Sequence, residues 1–139
     1  MSVVQIDLAK NCSAPAVRLW EALLAPRLWW GEGVLLEPVP GGKFYEPWQD
    51  NQGQHHTHGR VVGIEAPAQL ILKWWDDDWS FETDVIFQVS AQEQGSRVRL
   101  LHTGWEAAPE AQQQGLIDAH RQGWAYHLGN LVTFAGQQS

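Results

Sequence analysis

Four side chains could do acid–base or hydrogen-bonding chemistry in an apolar setting: Glu46, His102, His120 and His127. Each lies in a stretch whose periodicity turns it inward. Glu46 keeps step with Phe44 and Trp48, and His102 with Val98 and Leu100. His120 and His127 fall on the apolar stripe of a helix. A carboxylate and imidazoles withdrawn from water acquire shifted pKa values, which is one recipe for general acid–base catalysis. The same groups serve as hydrogen-bond anchors for a ligand, or as partners for other buried polar atoms. His120 and His127 are two helical turns apart, roughly 10 Å along the axis, too far to chelate one metal side by side.

Tryptophan surrounds this polar set in excess: nine, against two tyrosines and four phenylalanines. An indole buries a large apolar area and keeps one N–H that needs an acceptor. The nine either fill a core or wall an aromatic pocket. Trp20 and Trp124 are expected in the core. Trp74, in step with Leu70 and Leu72, is expected to reach a cavity, with Trp48 and Trp105 near its mouth and Trp75 and Trp79 outside. His55, His56 and His58 form the densest histidine cluster. On a strand His56 and His58 share a face while His55 points away, and no third ligand at neighbouring spacing completes a zinc site. Asp76-Asp77-Asp78 reads as a solvated turn, a cation site being the alternative. Cys12 is the single cysteine, so no internal disulfide forms, and a reducing cytoplasm is the simplest compartment.

The element that must position these groups is a helix over 116–135. Its stripe is Leu116, His120, Trp124, His127/Leu128, Leu131 and Ala135, with Asp118, Arg121, Gln122 and Asn130 opposite. The rest of the chain supplies a surface for that stripe. Residues 3–9 alternate as a strand. Asn11 or Ser13 offers a helix N-cap and Pro15 suits the first turn of a helix over 16–24, with Val17, Trp20, Leu23 and Leu24 inward. A further helical turn spans 27–30. Strands follow at 34–37, 43–48, 56–64, 70–75, 82–90 and 97–105. Pro47 puts its strand at an edge or a kink, Gly59 suggests a bulge, and Gly123 suggests close approach of the helix to the sheet. Strand, two short helices, six strands and a long helix describe one α+β domain over 1–139, an antiparallel sheet curved over a helix.

Composition narrows the partners. A net charge of −7 argues against nucleic acid or an anionic membrane. No apolar run approaches the roughly 20 residues of a membrane span, and no signal peptide is evident. No GxGxxG, P-loop, nucleophile elbow, HExxH or CxxC motif is present, so no cofactor or metal is expected.

Longer stretches carry a resemblance. They are PAVRLWEALLAPRLWW at 15–30, EPVPGGKF at 37–44, GRVVGIEAPAQLILKW at 59–74, DVIFQVSAQEQGSRVRLLHTGW at 84–105, and GW at 123–124 with Leu128 and Leu131. In these the chain resembles the activator-of-heat-shock-protein-90-ATPase homologue family, within the START-like (SRPBCC, birch-pollen-allergen-type) superfamily. The resemblance implies a helix-grip fold: seven curved antiparallel strands around the last helix, two short helices after the first strand, a cavity between, and Trp29 and Trp30 on a lid segment. It implies a binder of an apolar, aromatic or lipid-like small molecule. Alternatives are a cyclase/dehydratase-like enzyme using a cavity histidine or Glu46, and a co-chaperone-type module. A homodimer and a chaperone partner both stay open. The HHTH run at 55–58 and the doubled Trp74-Trp75 depart from the usual pattern. The ligand contacts expected on this reading are Trp30, Phe44, Glu46, Trp48, Trp74, His102, Trp105, His120, Trp124 and His127, with no catalytic residue assigned.

Overall fold

A computed structural model describes residues 5–137. Strand β1, Ile6–Cys12, leads to helix α1, Ala16–Leu23, and a 3-10 turn, Pro26–Leu28. Then come β2 (Leu35–Leu36), β3 (Lys43–Asp50), β4 (Gly53–Glu65), β5 (Gln69–Asp76), β6 (Thr83–Gln92) and β7 (Gly95–Thr103). A second 3-10 turn, Trp105–Ala107, precedes α2, Glu110–Gln137. The seven strands form one antiparallel sheet in the order β1-β7-β6-β5-β4-β3-β2. This is the helix-grip architecture, with α2 against the concave face and packed on β1 and α1.

Alternation builds the concave face. Ile6, Phe44, Val61, Leu70, Leu72, Trp74, Val85, Phe87, Val89, Val98 and Leu100 are all buried. From α2, Ile117, Trp124, Leu128, Leu131 and Ala135 are buried against them, three to seven residues apart along one side of the helix. Among the described residues no helix is long and apolar enough to cross a membrane.

Several local expectations are corrected. The start of β1 at Val3 lies outside the described residues, and the strand runs on through Cys12, so Asn11 is no helix cap. Pro15 holds the N-cap position of α1 without any side-chain cap, its fixed φ already suiting a helix entrance. Val17 points outward, 55% exposed, and Leu19 and Ala22 take the inward places beside Trp20 and Leu23. Pro109 opens the C-terminal helical segment as its type suggests, and the helix runs from Glu110, ahead of the apolar stripe, through a largely polar, solvated stretch to Gly115. Pro47 faces away from any ladder partner on its outer side, since β2 pairs only with Phe44 and Tyr45.

Two glycines do work other than that expected. The β4 bulge falls between Val61 and Gly63, not at Gly59. A Cβ on Gly59 would lie 2.8 Å from the Lys73 carbonyl oxygen and 3.0 Å from Phe44 Cβ, so this glycine lets Phe44 and Trp74 close over it. A Cβ on Gly123 would meet nothing within 4 Å, so that residue opens space instead of drawing the helix onto the sheet.

A candidate ligand cavity

The register of four neighbouring strands builds the floor of a cavity. At one level Phe44, Gly59, Trp74 and Thr83 stand side by side across β3, β4, β5 and β6. Phe44 and Trp74 stack over the glycine at 5.2 Å. Two residues toward the open end, Glu46, Thr57 and Asp76 stand in a row. A polar row therefore borders an aromatic one. The roof is α2, through Leu116, Ala119, His120, Gly123, Trp124 and His127, and Trp30 and Trp48 close the sides. The enclosed volume is about 340 Å³, open to solvent along the half-exposed edges of Trp48, Asp76 and Leu116.

Trp30 is the hinge between wall and core. It follows the 3-10 turn that Pro26 starts, and its ring meets Trp124 at 5.5 Å and His127 at 4.5 Å. Its indole N–H donates to Glu46 Oε2 at 3.1 Å. Burial pushes the Glu46 carboxyl up to about 7; the Trp30 N–H opposes that and the charge of Asp76 adds to it. Asp76 is also raised by burial, opposed by the Thr57 hydroxyl, which donates to Asp76 Oδ1 at 2.6 Å, and by His120. Burial lowers His120 and holds His127 down at about 4, so both rings are neutral at pH 7. His120 donates from Nδ1 to the Leu116 carbonyl at 2.8 Å and accepts the Trp74 N–H on Nε2 at 3.3 Å. Among the described residues, His127 Nδ1 is the buried side-chain polar atom with no partner.

Seven of the ten expected contacts line this cavity: Trp30, Glu46, Trp48, Trp74, His120, Trp124 and His127. Three do not. Phe44 lies one layer below, covered by Trp30 at 5.1 Å and by Trp74. His102 is fully buried behind Trp124 and belongs to a closed chain of hydrogen bonds. In that chain the Trp124 N–H donates to His102 Nδ1 at 3.0 Å, His102 Nε2–H to Thr83 Oγ1 at 2.7 Å, and the Thr83 hydroxyl to the Trp74 carbonyl at 2.9 Å. Burial, with the neighbouring His120, holds the His102 ring well below its usual range, so it stays neutral. Trp105 is sealed with it, donating to the His102 carbonyl at 3.1 Å. Both residues sit at the end of β7 where the second 3-10 turn folds over them, which strand alternation alone does not reveal.

Sequence reasoning missed Thr57 and Asp76. Asp76 stands in a run that reads as a turn, yet it continues the alternation of Leu70, Leu72 and Trp74, and that period is the available signal. Trp79 does not lie outside as its loop position suggests: it covers His120 at 5.6 Å and Trp105 at 5.8 Å. Trp75 does lie on the convex face, stacked on His58 at 5.9 Å. There His56 Nδ1–H and His58 Nε2–H both donate to Asp77, each at 2.6 Å. Among the described residues no three His, Cys, Asp or Glu side chains group so as to hold a metal ion. His55 faces the other way, stacked on Trp48 at 4.4 Å and bonded to Asp50. Cys12 is buried, its thiol donating to the Val132 carbonyl at 3.6 Å.

Known proteins reproduce this framework. The family model described as Activator of Hsp90 ATPase homolog 1-like protein matches residues 13–136. A solved protein from Chromobacterium violaceum is similar at 18% identity, with TM-score 0.74, over 96% of this chain and 97% of that one. The Aha1 dimer from Colwellia psychrerythraea is similar at 18% identity, with TM-score 0.73, over 94% of each chain. A protein of the dynemicin biosynthetic locus is similar at 16% identity, with TM-score 0.76, over 96% of this chain and 47% of that one. The chain matches no curated protein sequence. At these identities the solved structures speak to the fold.

Proposed function

Since the chain belongs to the Activator of Hsp90 ATPase homolog 1-like family, we propose that it is a small-molecule binding protein. The cavity between sheet and terminal helix holds one compact ligand with an apolar or aromatic body. The observation that carries this reading is the cavity of about 340 Å³ walled by Trp30, Trp48, Trp74 and Trp124, with few polar groups converging on it. That size and lining suit a molecule held mainly by apolar burial and oriented by one or two hydrogen bonds. A long lipid tail does not fit this volume.

Catalysis of the cyclase type is less well supported. No described hydrogen bond joins Glu46 or Asp76 to a histidine, and both ring nitrogens of His120 are already engaged. The test is a thermal-shift and tryptophan-fluorescence screen of small aromatics. A binder raises the melting temperature and changes the emission of the wall indoles. If a broad screen moves neither, the binding reading falls. The cytoplasmic location, read from the lone cysteine, belongs to the same proposal.

A homodimer is a second reading, favoured by the dimer reported for the Colwellia relative. Here Val17 and Leu28 stand 55% and 59% exposed on α1 and the turn after it, beside a groove that Phe134 borders. Light scattering reads it directly: twice the chain mass at micromolar concentration supports it, and a monomer refutes it.

A further inference from the structure

The hydrogen-bonding capacity of the cavity wall leans toward acceptors. Each of its four indoles has given away its N–H: Trp30 to Glu46, Trp48 to Thr57 at 2.9 Å, Trp74 to His120 and Trp124 to His102. The Thr57 hydroxyl hydrogen goes to Asp76, and His120 keeps its Nδ1–H on the Leu116 carbonyl. What the wall retains is mostly acceptor capacity, the exception being the one N–H of the neutral His127 ring, for which no hydrogen bond is described. Glu46 engages a described residue through Oε2 and Asp76 through Oδ1, which leaves Glu46 Oε1 and Asp76 Oδ2 for a guest. Neither is among the buried unpartnered atoms, so both face accessible space.

Among the described residues no lysine or arginine lines the cavity. Two carboxylates are thus half-withdrawn from water, near enough for the charge of Asp76 to disfavour that of Glu46, with no ammonium or guanidinium group in the lining to pair with either. Placing like charges in an apolar recess destabilises a protein unless something compensates. Of the neighbouring imidazoles, burial keeps His127 neutral, and His120, also lowered by burial, offsets the charge of Asp76 only in part.

We infer that the ligand is an organic cation, an ammonium group carried on an aromatic or compact apolar body. This rests on the binding reading above and narrows its ligand class. A fatty acid, a phosphate ester or another anion would bring its charge against Glu46 and Asp76. A cation instead pairs with both and lies against indole faces, whose quadrupoles attract it most strongly when water is excluded. The net charge of −7 favours its approach from solution.

The experiment titrates the full chain at pH 8 with three probes of one size, reading indole emission and heat. The probes are benzyltrimethylammonium, its uncharged isostere neopentylbenzene, and the anion phenylacetate. The cation is expected to bind roughly tenfold or more tighter than the isostere, and phenylacetate weakest. Glu46→Gln and Asp76→Asn each erode the cation's advantage and leave the isostere unchanged. Gly123→Leu, which fills open cavity space, weakens the cation and the isostere alike.

The quaternary probe does not titrate, so its pH dependence reports the protein. Glu46 faces Asp76 from β5, with His120 and His127 on α2, and Asp76 in turn feels Asp77 and Asp78. Affinity rises as pH passes upward through about 7, where Glu46 ionises, and Glu46→Gln flattens that rise. If the isostere or the anion binds as tightly as the cation, or if Gly123→Leu leaves cation affinity intact, the inference is overturned while a binding cavity for other ligands stands. If none of the three probes saturates, the cavity reading falls with it.

Discussion

Two polar inclusions lie in one aromatic layer, on either side of the Trp74–Trp124 contact, where the rings are 5.0 Å apart. The inner one, Trp124–His102–Thr83 with Trp105, closes on itself. Every donor has an acceptor, and the run ends on the Trp74 backbone carbonyl. The outer one, Glu46–Trp30 and Asp76–Thr57–Trp48, stops with carboxylate oxygens free and the His127 Nδ1 unpartnered. Both join indole N–H groups to a threonine hydroxyl, and the outer one adds the carboxylates of Glu46 and Asp76. The difference lies in whether the hydrogen bonds are completed from within the chain. A buried polar group whose partners are all internal specifies a structure, and one whose partners run out is waiting for something.

Breaking the closed inclusion should have the largest effect. His102→Ala removes a fully buried ring, strands the Trp124 N–H and leaves a void, so unfolding stability should fall by about 3 kcal/mol or more in urea titrations. A loss below about 1 kcal/mol would erase the contrast between the two inclusions. The open inclusion should respond in the opposite direction. The folded-state pKa of Glu46, about 7, lies above its ordinary 4.5, so the folded chain holds a proton that the unfolded chain has shed between those values. Stability therefore declines as pH climbs through that window and remains lower above it. Glu46→Gln keeps an oxygen for the Trp30 N–H and abolishes the decline. It should stabilise the unliganded protein by as much as ~3 kcal/mol at pH 8 and by little at pH 4.5. His127 acts at the acid end. Its folded value near 4 lies below the ordinary 6.5, so it costs stability as pH falls from 6.5 toward 4.

Smaller effects sharpen the same contrast. Gly123→Ala puts a methyl group into open cavity space within a helix interior, and should stabilise by about 1 kcal/mol while weakening ligand binding. A destabilised Gly123→Ala would mean that the space is not open. The smallest effect belongs to the convex face. His56 and His58 each donate to Asp77 there, and those bonds hold its carboxyl below the usual range, but Asp77 is solvent-exposed. Asp77→Asn should leave the melting temperature and ligand affinity at neutral pH close to those of the parent chain.

Much of this framework was legible in the sequence because two periods are strong in it. The alternation of Leu70, Leu72 and Trp74, and of Val98, Leu100 and His102, fixed the concave face. The stripe from Leu116 to Ala135 fixed the helix that covers it. What those periods cannot show is depth along a strand. Phe44, Glu46 and Trp48 share a face, yet Phe44 is floor, covered by Trp30 and Trp74, while Glu46 is wall and Trp48 is rim. His102 and His120 looked alike as inward histidines. The second 3-10 turn seals the first and leaves the second at the wall. Asp76 was lost to the turn-like run of three aspartates, although its alternation was intact. Gly123 reads as close approach and is open space instead, since a helical glycine signals either equally well.

The most direct measurement follows the side-chain N–H signals of the nine tryptophans by ¹⁵N–¹H NMR while the neutral aromatic N-phenyl-1-naphthylamine is added. The account predicts that Trp30, Trp48 and Trp74 shift together and saturate at one molecule per chain, while Trp105, sealed beside His102, stays in place. Signals that all remain fixed, or a Trp105 signal that moves as far as that of Trp30, would contradict it.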